Sequence, residues 1–417
     1  MATLSLVFLI GAILLGILRK VNIGLVSFGL SLVLGLLSGA KAKAIQAGFP
    51  TGLFVTLLGV MMLFSIAQEN KTMELLARRV VALAGRRTYL IPIIVYVFSV
   101  VLAAVGPGTV PVMGIMAVFT CSLAAEMKVS PVLLSATSVL GAAGGGLTPI
   151  APTGILGLSL ASEQGITGIE FPYAMNMLIA MTIYFIIIYF VLGGYKMKSN
   201  VDVSTVMEKV KFNREQIITL IGMAVLVVCV IGLRYDVGLT SFTISMVLLL
   251  LKVANEKKAI SNIPWSTLVM IAGINMLMAM VINLGGIDLL ATGLSKLMTP
   301  ATAPGVLGLT AGIMSWFSST SGVVMPTLIP TVTGIIENVG GSVSALALLS
   351  AITNTASAAG MSPISTGGSM GLAAYSSIAK PTEEEQSKLF MQLFAVSIGG
   401  VIVLAIVALT GIYTMFA

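Results

Sequence analysis

Three features of the sequence predict an all-α polytopic membrane protein built from two inverted-topology repeats. The first is composition: 57% of the 417 residues are hydrophobic and only 9% charged, a balance suited to lipid rather than water. The second is a phrase stated twice, Leu147-Thr148-Pro149-Ile150-Ala151-Pro152-Thr153-Gly154 and Met361-Ser362-Pro363-Ile364-Ser365-Thr366-Gly367-Gly368. The third is the placing of Lys and Arg between loops, which gives the two halves opposite orientations.

Both phrases lie inside uncharged runs, with a hydroxyl, a proline and a glycine where a spanning helix would carry leucines. Proline removes a backbone donor and breaks a helix. Broken backbone at membrane depth is tolerated only when buried in protein or facing a watery cavity. Two matching breaks, one in each half, point to a transporter's binding site.

Taken in order, Ala2–Leu18, Asn22–Leu37 and Thr51–Ala67 are apolar runs of spanning length. The first has no basic residue before it and no small-residue cleavage site after it, and reads as a retained span rather than a signal peptide. Lys71–Arg87 is amphipathic, with Met73, Leu76, Ala77, Val80 and Ala84 on one face and Glu74 and Arg78 on the other. It predicts a helix lying along the interface. Residues 88–125 are uncharged and interrupted by Gly106-Pro107-Gly108-Thr109. One straight helix would run to roughly 57 Å there, so two shorter helices are expected, as a re-entrant hairpin or two thin spans. Residues 129–162 hold the first break, and Phe171–Leu192 spans again.

A polar linker over 196–215 separates the halves, after which the plan repeats. Ile217–Leu233, Val237–Leu251 and Trp265–Leu284 are spans, and Ile287–Met298 is a second amphipathic helix. A second hairpin is expected over 297–336, broken at Ser318-Ser319-Thr320-Ser321-Gly322, with the second broken helix over 338–379 and a last span over Leu389–Ala417. The two phrases lie 214 residues apart (362 − 148). The same offset brings Gly108 onto Gly322 and Ala2 onto Gln216, a mark of internal repetition. The repeats are accordingly 1–195 and 216–417.

If the hairpins do not cross and each broken run crosses once, 18 of the 22 basic residues fall on one side. That side is cytoplasmic by the positive-inside rule, and both termini are extracytoplasmic. The +7 balance is therefore a matter of topology rather than of a nucleic-acid partner. Cys121 and Cys229 lie in apolar runs and read as inert. With no histidine and no paired intramembrane aspartates, Ser-His, zinc-His and aspartyl chemistry are excluded. The chain is not expected to be an enzyme or to hold a cofactor. A channel is a rival class, disfavoured by two closed-ended hairpins.

The uncharged runs bring hydroxyls, glycines and broken helix ends together. Helix N-termini suit carboxylate or phosphate, and unwound carbonyls and hydroxyls suit Na⁺. Proton coupling normally uses an intramembrane Asp, Glu or His, so Na⁺ is favoured. A proton carried on the substrate, or an exchange mechanism, remains an alternative. Thr148, Thr153, Ser362 and Thr366 flank the breaks and are candidates for ion or substrate contact. Ser135, Thr137 and Ser138 either bond their own helix or face ligand. Gly144-Gly145-Gly146 reads as close packing, Asn354 must find a partner, and Asn275 and Asn283 read as helix–helix glue.

The stretches Ala47–Phe54, Phe64–Gln68 and Gly144–Gly154 resemble the MatC-type dicarboxylate (malonate) carriers of the ion transporter superfamily. The tips and breaks are also similar to the divalent anion:sodium symporters, where hairpin tips and broken helices hold the substrate carboxylates and two Na⁺ ions. The resemblance implies substrate contacts at Gly108, Thr109, Thr153, Ser319, Thr320, Ser321, Asn354 and Thr366. It implies Na⁺ ligands at Gly106, Thr109, Thr148, Ala151, Ser318, Gly322, Ser362 and Ser365. Neither tip carries the asparagine usual in that family, so backbone amides or Asn354 take its place. The resemblance further implies a homodimer in the cell inner membrane. In it the first three spans of each half form a scaffold, and hairpins and broken helices an elevator-like transport domain. The expected function is secondary transport of a small dicarboxylate with Na⁺. Transport of another anion, or service as the membrane subunit of a binding-protein-dependent carboxylate transporter, is the rival.

Overall fold

The computed structural model describes residues 1–82, 87–127, 129–197, 211–340, 343–379 and 381–415. The centre of the expected linker, Lys128, Lys380, Ala84 and the side chains of Arg78 and Val80 lie outside the described residues. Among those described, every regular element is helical. The apolar runs become α1 (Ala2–Arg19), α2 (Ile23–Ser38), α4 (Thr51–Glu69) and α10 (Glu170–Val191). In the second half they become α11 (Arg214–Val227), α12 (Val237–Leu250), α14 (Trp265–Asn283) and α21 (Glu383–Leu409). Among the described residues six helical stretches are long and apolar enough to cross a membrane: α1, α4, α10, α14, α21 and the jointed run Thr320–Val339.

Side-chain caps set several of these starts. Asn22 accepts from the Gly24 amide, and its Nδ2 donates to the Ser266 carbonyl at 2.8 Å. Asn213 and Gln216 close a reciprocal capping box, as do Thr382 and Glu385, each satisfying donors that a helix start leaves open. The two amphipathic stretches form helices α5 (Thr72–Ala82) and α15 (Gly286–Ser295). On α5 Met73 and Ala77 are buried, as its pattern requires, and Leu75 joins them. Two short helices not read from the sequence, α3 (Ala42–Gln46) and α13 (Glu256–Asn262), precede α4 and α14.

The uncharged runs fold as helix pairs. The first gives α6 (Ile91–Ala104) and α7 (Thr109–Met127), then α8 (Pro131–Gly145) and α9 (Pro152–Glu163) across the break. The second gives α16 (Ala303–Trp316), a π-helical turn Thr320–Val324, α17 (Met325–Leu328), a 3₁₀ turn Ile329–Thr331 and α18 (Val332–Val339). Then α19 (Ala345–Ala359) and α20 (Thr366–Ala379) flank the second break. The expected return arm of the second hairpin, Thr320–Val339, is long enough to span, and Pro326 and Pro330 joint it, because each proline withholds an N–H from the ladder.

α2, α3, α4, α5, α8 and α9 each begin 214 residues before α12, α13, α14, α15, α19 and α20 (265 − 51 for α4 and α14). Packing follows the same correspondence. α6 packs on α8 and α16 on α19, within each half, whereas α2 packs on α14 and α4 on α12, across the halves. The cross-half contacts are reciprocal and close enough to require glycine. A Cβ on Gly24 would lie 2.3 Å from the Val269 carbonyl oxygen, and one on Gly273 2.1 Å from the Gly24 carbonyl oxygen. Their counterparts meet likewise: a Cβ on Gly59 would lie 2.3 Å from the Gly238 carbonyl oxygen, and one on Gly238 2.5 Å from the Thr56 Cα. Backbones approach this closely in membranes where small residues permit it.

Gly144–Gly146 packs as expected: a Cβ on Gly145 would lie 2.0 Å from the Val100 carbonyl oxygen of α6. Thr137 and Ser138 bond carbonyls of their own helix. Asn275 corrects one expectation. Its Nδ2 donates to the Ile271 carbonyl of its own helix at 2.8 Å, so it does not glue α14 to a neighbour. An i−4 carbonyl is the nearest acceptor a helical side chain meets, and it wins here. Asn283 is exposed.

Candidate functional site

At the first break α8 ends at Gly145 and Pro152 opens α9, where its missing N–H costs nothing. The intervening turn folds back over the new helix. A Cβ on Gly154 would lie 2.0 Å from the Thr148 carbonyl oxygen. At the second break the same device recurs, with a Cβ on Gly368 2.2 Å from the Met361 carbonyl oxygen. A hydroxyl ties each break to the end of its hairpin's first arm. Thr148 Oγ1 donates to the Ala104 carbonyl at 2.8 Å, and Ser362 Oγ to the Trp316 carbonyl at 3.3 Å.

The tips are made differently. The first turns on Gly106 and Gly108, with φ of 140° and 76°, a region side chains rarely enter. The second turns on hydroxyls. Ser318 Oγ donates to the Met314 carbonyl at 2.7 Å, and Ser319 Oγ accepts from the Gly322 amide at 3.1 Å. Ser315 and Thr320 both donate to the Ala356 carbonyl, at 2.8 and 3.0 Å. Ser365 Oγ of the second break donates to the Ser318 carbonyl at 3.1 Å.

Tips and breaks meet at one cavity of about 390 Å³, counting its open mouth. Four helix starts line it: Thr109 of α7, Thr153 of α9, Thr320 of the π-turn and Thr366 of α20. Among the described residues no charged side chain lines it. Of the substrate contacts implied by the resemblance, Thr109, Thr153, Ser319, Thr320, Ser321 and Thr366 come together here. Gly108 lies just behind, against the Pro152 ring. Asn354 lies elsewhere: it is fully buried in α19, and its Nδ2 donates to the Asn176 carbonyl at 3.2 Å. Of the implied Na⁺ ligands, Thr109 and Ser365 line the cavity. The hydroxyls of Thr148, Ser318 and Ser362 are engaged as above. Gly106 sits under the Phe64 ring, Gly322 against Met270, and Ala151 caps α9.

What the cavity offers a ligand is set by which donors are spent. The hydroxyls of Ser321, Ser357 and Thr366 make no hydrogen bond among the described residues, and Thr109 and Thr153 share one long contact of 3.4 Å. The amides of Thr109, Val110, Thr153, Thr320, Ser321 and Thr366 donate to nothing among the described residues, as helix starts leave them. With the dipoles of the helix starts they form a positive, uncharged lining fit for an anion. Among the described residues no group of His, Cys, Asp and Glu could hold a metal. A cation here would have hydroxyl and carbonyl oxygens as its only protein ligands.

A second space, of about 330 Å³, shares Thr109, Val110, Thr153 and Ser321 and is walled by Met61, Pro264, Thr267 and Ile271. These wall residues were not foreseen, since nothing local marks them. Ser357 was missed as well, although it stands one turn beyond Asn354 in the polar run of α19 and that spacing could have flagged it.

Comparison with known proteins agrees with this architecture. No curated protein matches the chain. The YdaH transporter of Alcanivorax borkumensis, described as having an unusual topology, shares the fold at a TM-score of 0.62. The likeness covers 94% of this chain and 97% of that one at 13% identity. Residues 1–146 match the family model described as the dicarboxylate carrier protein MatC N-terminus. The chain is thus a polytopic membrane protein that shares the fold of the YdaH transporter, and its N-terminal 146 residues are similar to the MatC dicarboxylate carrier N-terminus.

Proposed function

We propose that this protein is a secondary active transporter of small dicarboxylates, of malonate or C4 size, driven by Na⁺. The observation that carries the reading is the convergence of four helix starts, with free amides and hydroxyls, on a cavity that no charged side chain lines. Unpaired N–H groups at helix starts are ready-made partners for carboxylate oxygens. A dianion taken from water without a fixed cation faces a penalty of several kcal/mol per charge. Co-bound Na⁺ offsets it, and the absence of Asp, Glu and His from the lining favours Na⁺ over a proton. Gly106, Thr109, Thr148 and Ala151 on one side, with Ser318, Gly322, Ser362 and Ser365 on the other, are the proposed ion sites.

The mechanism follows from the repeat. Reciprocal packing of α2 on α14 and of α4 on α12 supports two inverted repeats, 1–195 and 216–417, joined by the linker. Alternating access then becomes movement of the hairpins and broken helices against the scaffold of α1, α2, α4, α11, α12 and α14. In this reading the protein is a homodimer in the cell inner membrane with both termini extracytoplasmic.

The test is uptake of labelled malonate and succinate into proteoliposomes under an inward Na⁺ gradient, an inward H⁺ gradient, or neither. Accumulation under Na⁺ alone is expected. Accumulation under H⁺ alone would overturn the coupling, and accumulation only against internal dicarboxylate would make the protein an exchanger. Failure to move either acid would remove the substrate class.

A further inference from the structure

A third space, of about 610 Å³, lies away from the helix starts, between the Ala47–Pro50 turn, α14, the end of α9 and Pro330. The proposed transport cycle assigns it nothing. Its polar groups are one-sided. Asn275 is 8% exposed and lines it. The Nδ2 of that residue is spent on the Ile271 carbonyl, and its Oδ1 accepts nothing among the described residues. Among the described residues Glu163, an exposed side chain at the end of α9, is the only ionisable one in the lining. No cationic side chain among the described residues bonds it.

Donors are missing from the walls. The amides of Ala47, Gly48 and Phe49 are already bonded to Lys43, Ile45 and Gln46, and Pro50 and Pro330 have none. The end of α9 adds the negative pole of a helix. Partial burial against these walls pushes the Glu163 carboxyl up from its ordinary range. The rest of the lining is apolar: Leu160, Met278, Ala279 and Ile282, with Ile282 open to the outside at 40% exposure. An acceptor-only pocket with one carboxylate and an apolar rim selects a donor-rich cation on an apolar tail.

From this we infer that the space between α9 and α14 is a binding site for a primary ammonium group carried on an apolar tail, held by Glu163 and the Asn275 Oδ1. Two sources carry that chemistry: a phosphatidylethanolamine headgroup with its chains along Ile282, and a soluble alkylamine. The site bridges a helix of the substrate cavity to a helix of the opposite half, so an occupant braces α9 against α14.

Thermal unfolding of the full chain in nanodiscs tests this without relying on transport. In phosphatidylcholine discs, n-butylammonium is expected to raise the unfolding temperature saturably, on the order of 2 °C or more. Tetramethylammonium, which has no N–H, is expected to do far less. Glu163→Gln and Asn275→Leu should each abolish the butylammonium shift. Their unfolding temperatures without amine report whether the variants are folded. Discs containing phosphatidylethanolamine separate the sources. If that lipid alone raises the wild-type temperature but not that of Glu163→Gln, and blunts the amine titration, the lipid is the occupant. If it does nothing while butylammonium still acts, the occupant is a soluble amine. No shift with butylammonium in the wild type, or an equal shift in wild type and Glu163→Gln, overturns the site.

Discussion

The two hairpin tips occupy matching places and reach the same cavity by different chemistry. The first is shaped by backbone, with Gly106 and Gly108 at positive φ and a proline between them. Its partner helix α9 leaves the Thr153 and Gly154 amides free. The second is shaped by hydroxyls, four of which are committed to bonds at Ser315, Ser318, Ser319 and Thr320. There the Gly367 and Gly368 amides both donate to the Gly360 carbonyl at 3.0 Å. One side therefore holds its donors in reserve, and the other spends most of them on its own shape. A repeat can keep its path while the means of holding that path diverge.

The largest effects should come from what the halves share. Gly154→Val and Gly368→Val each drive a side chain into a carbonyl. Each should lower stability by about 1–3 kcal/mol and abolish uptake. Loss in one variant but not the other, read by thermal unfolding and proteoliposome uptake, would break the equivalence of the two breaks. Next come the free and committed hydroxyls. Ser321→Ala and Thr366→Ala should raise the KM for dicarboxylate about tenfold, the worth of one hydrogen bond to a charged group, with little change in stability. Thr148→Ala and Ser362→Ala, at the proposed ion sites, should each lose about 1 kcal/mol of stability and raise the Na⁺ concentration needed for half-maximal uptake.

A smaller contrast separates the tips themselves. Gly106→Ala and Gly108→Ala should each cost at least about 1–2 kcal/mol through backbone strain, with the Phe64 and Pro152 rings crowding the new methyl groups. Gly322→Ala, with no positive φ, meets only the flexible Met270 side chain and should cost less. Equal losses, measured by thermal unfolding, would mean that both tips are held by backbone alone. The smallest effect is in pH. Burial raises the folded-state Glu163 carboxyl above its unfolded value. Its contribution is therefore full below the unfolded range and is lost as pH rises through the raised folded one. The unfolding temperature should fall slightly as pH climbs above the ordinary carboxylate range, and Glu163→Gln should flatten that step.

The sequence was most legible where a single run decides the outcome. The starts at Ala2, Thr51, Val237 and Trp265 coincide with the helices observed, because an apolar run bounded by polar or turn residues has one way to sit in lipid. The breaks were legible for the same reason, since proline acts on its own neighbours. What stayed hidden depends on partners far along the chain. Asn354 needed a carbonyl 178 residues away, and Asn275 took one four residues back; both are asparagines in apolar helices, and nothing local distinguishes them. Met61, Thr267 and Ile271 reached the cavity wall only through packing across the halves.

The free amides at the helix starts carry a consequence for genetics. Alanine scanning deletes side chains, and at Thr109, Thr153 and Thr366 it leaves the amide donor intact. A library of alanine variants would therefore register only the hydroxyl's share at each of these positions. Proline deletes the donor itself and keeps a dihedral that a helix start accepts, and Pro152 shows that one of these starts already bears it. Proline at Thr153 or Thr366 would expose the part of the proposed recognition surface that no side chain encodes.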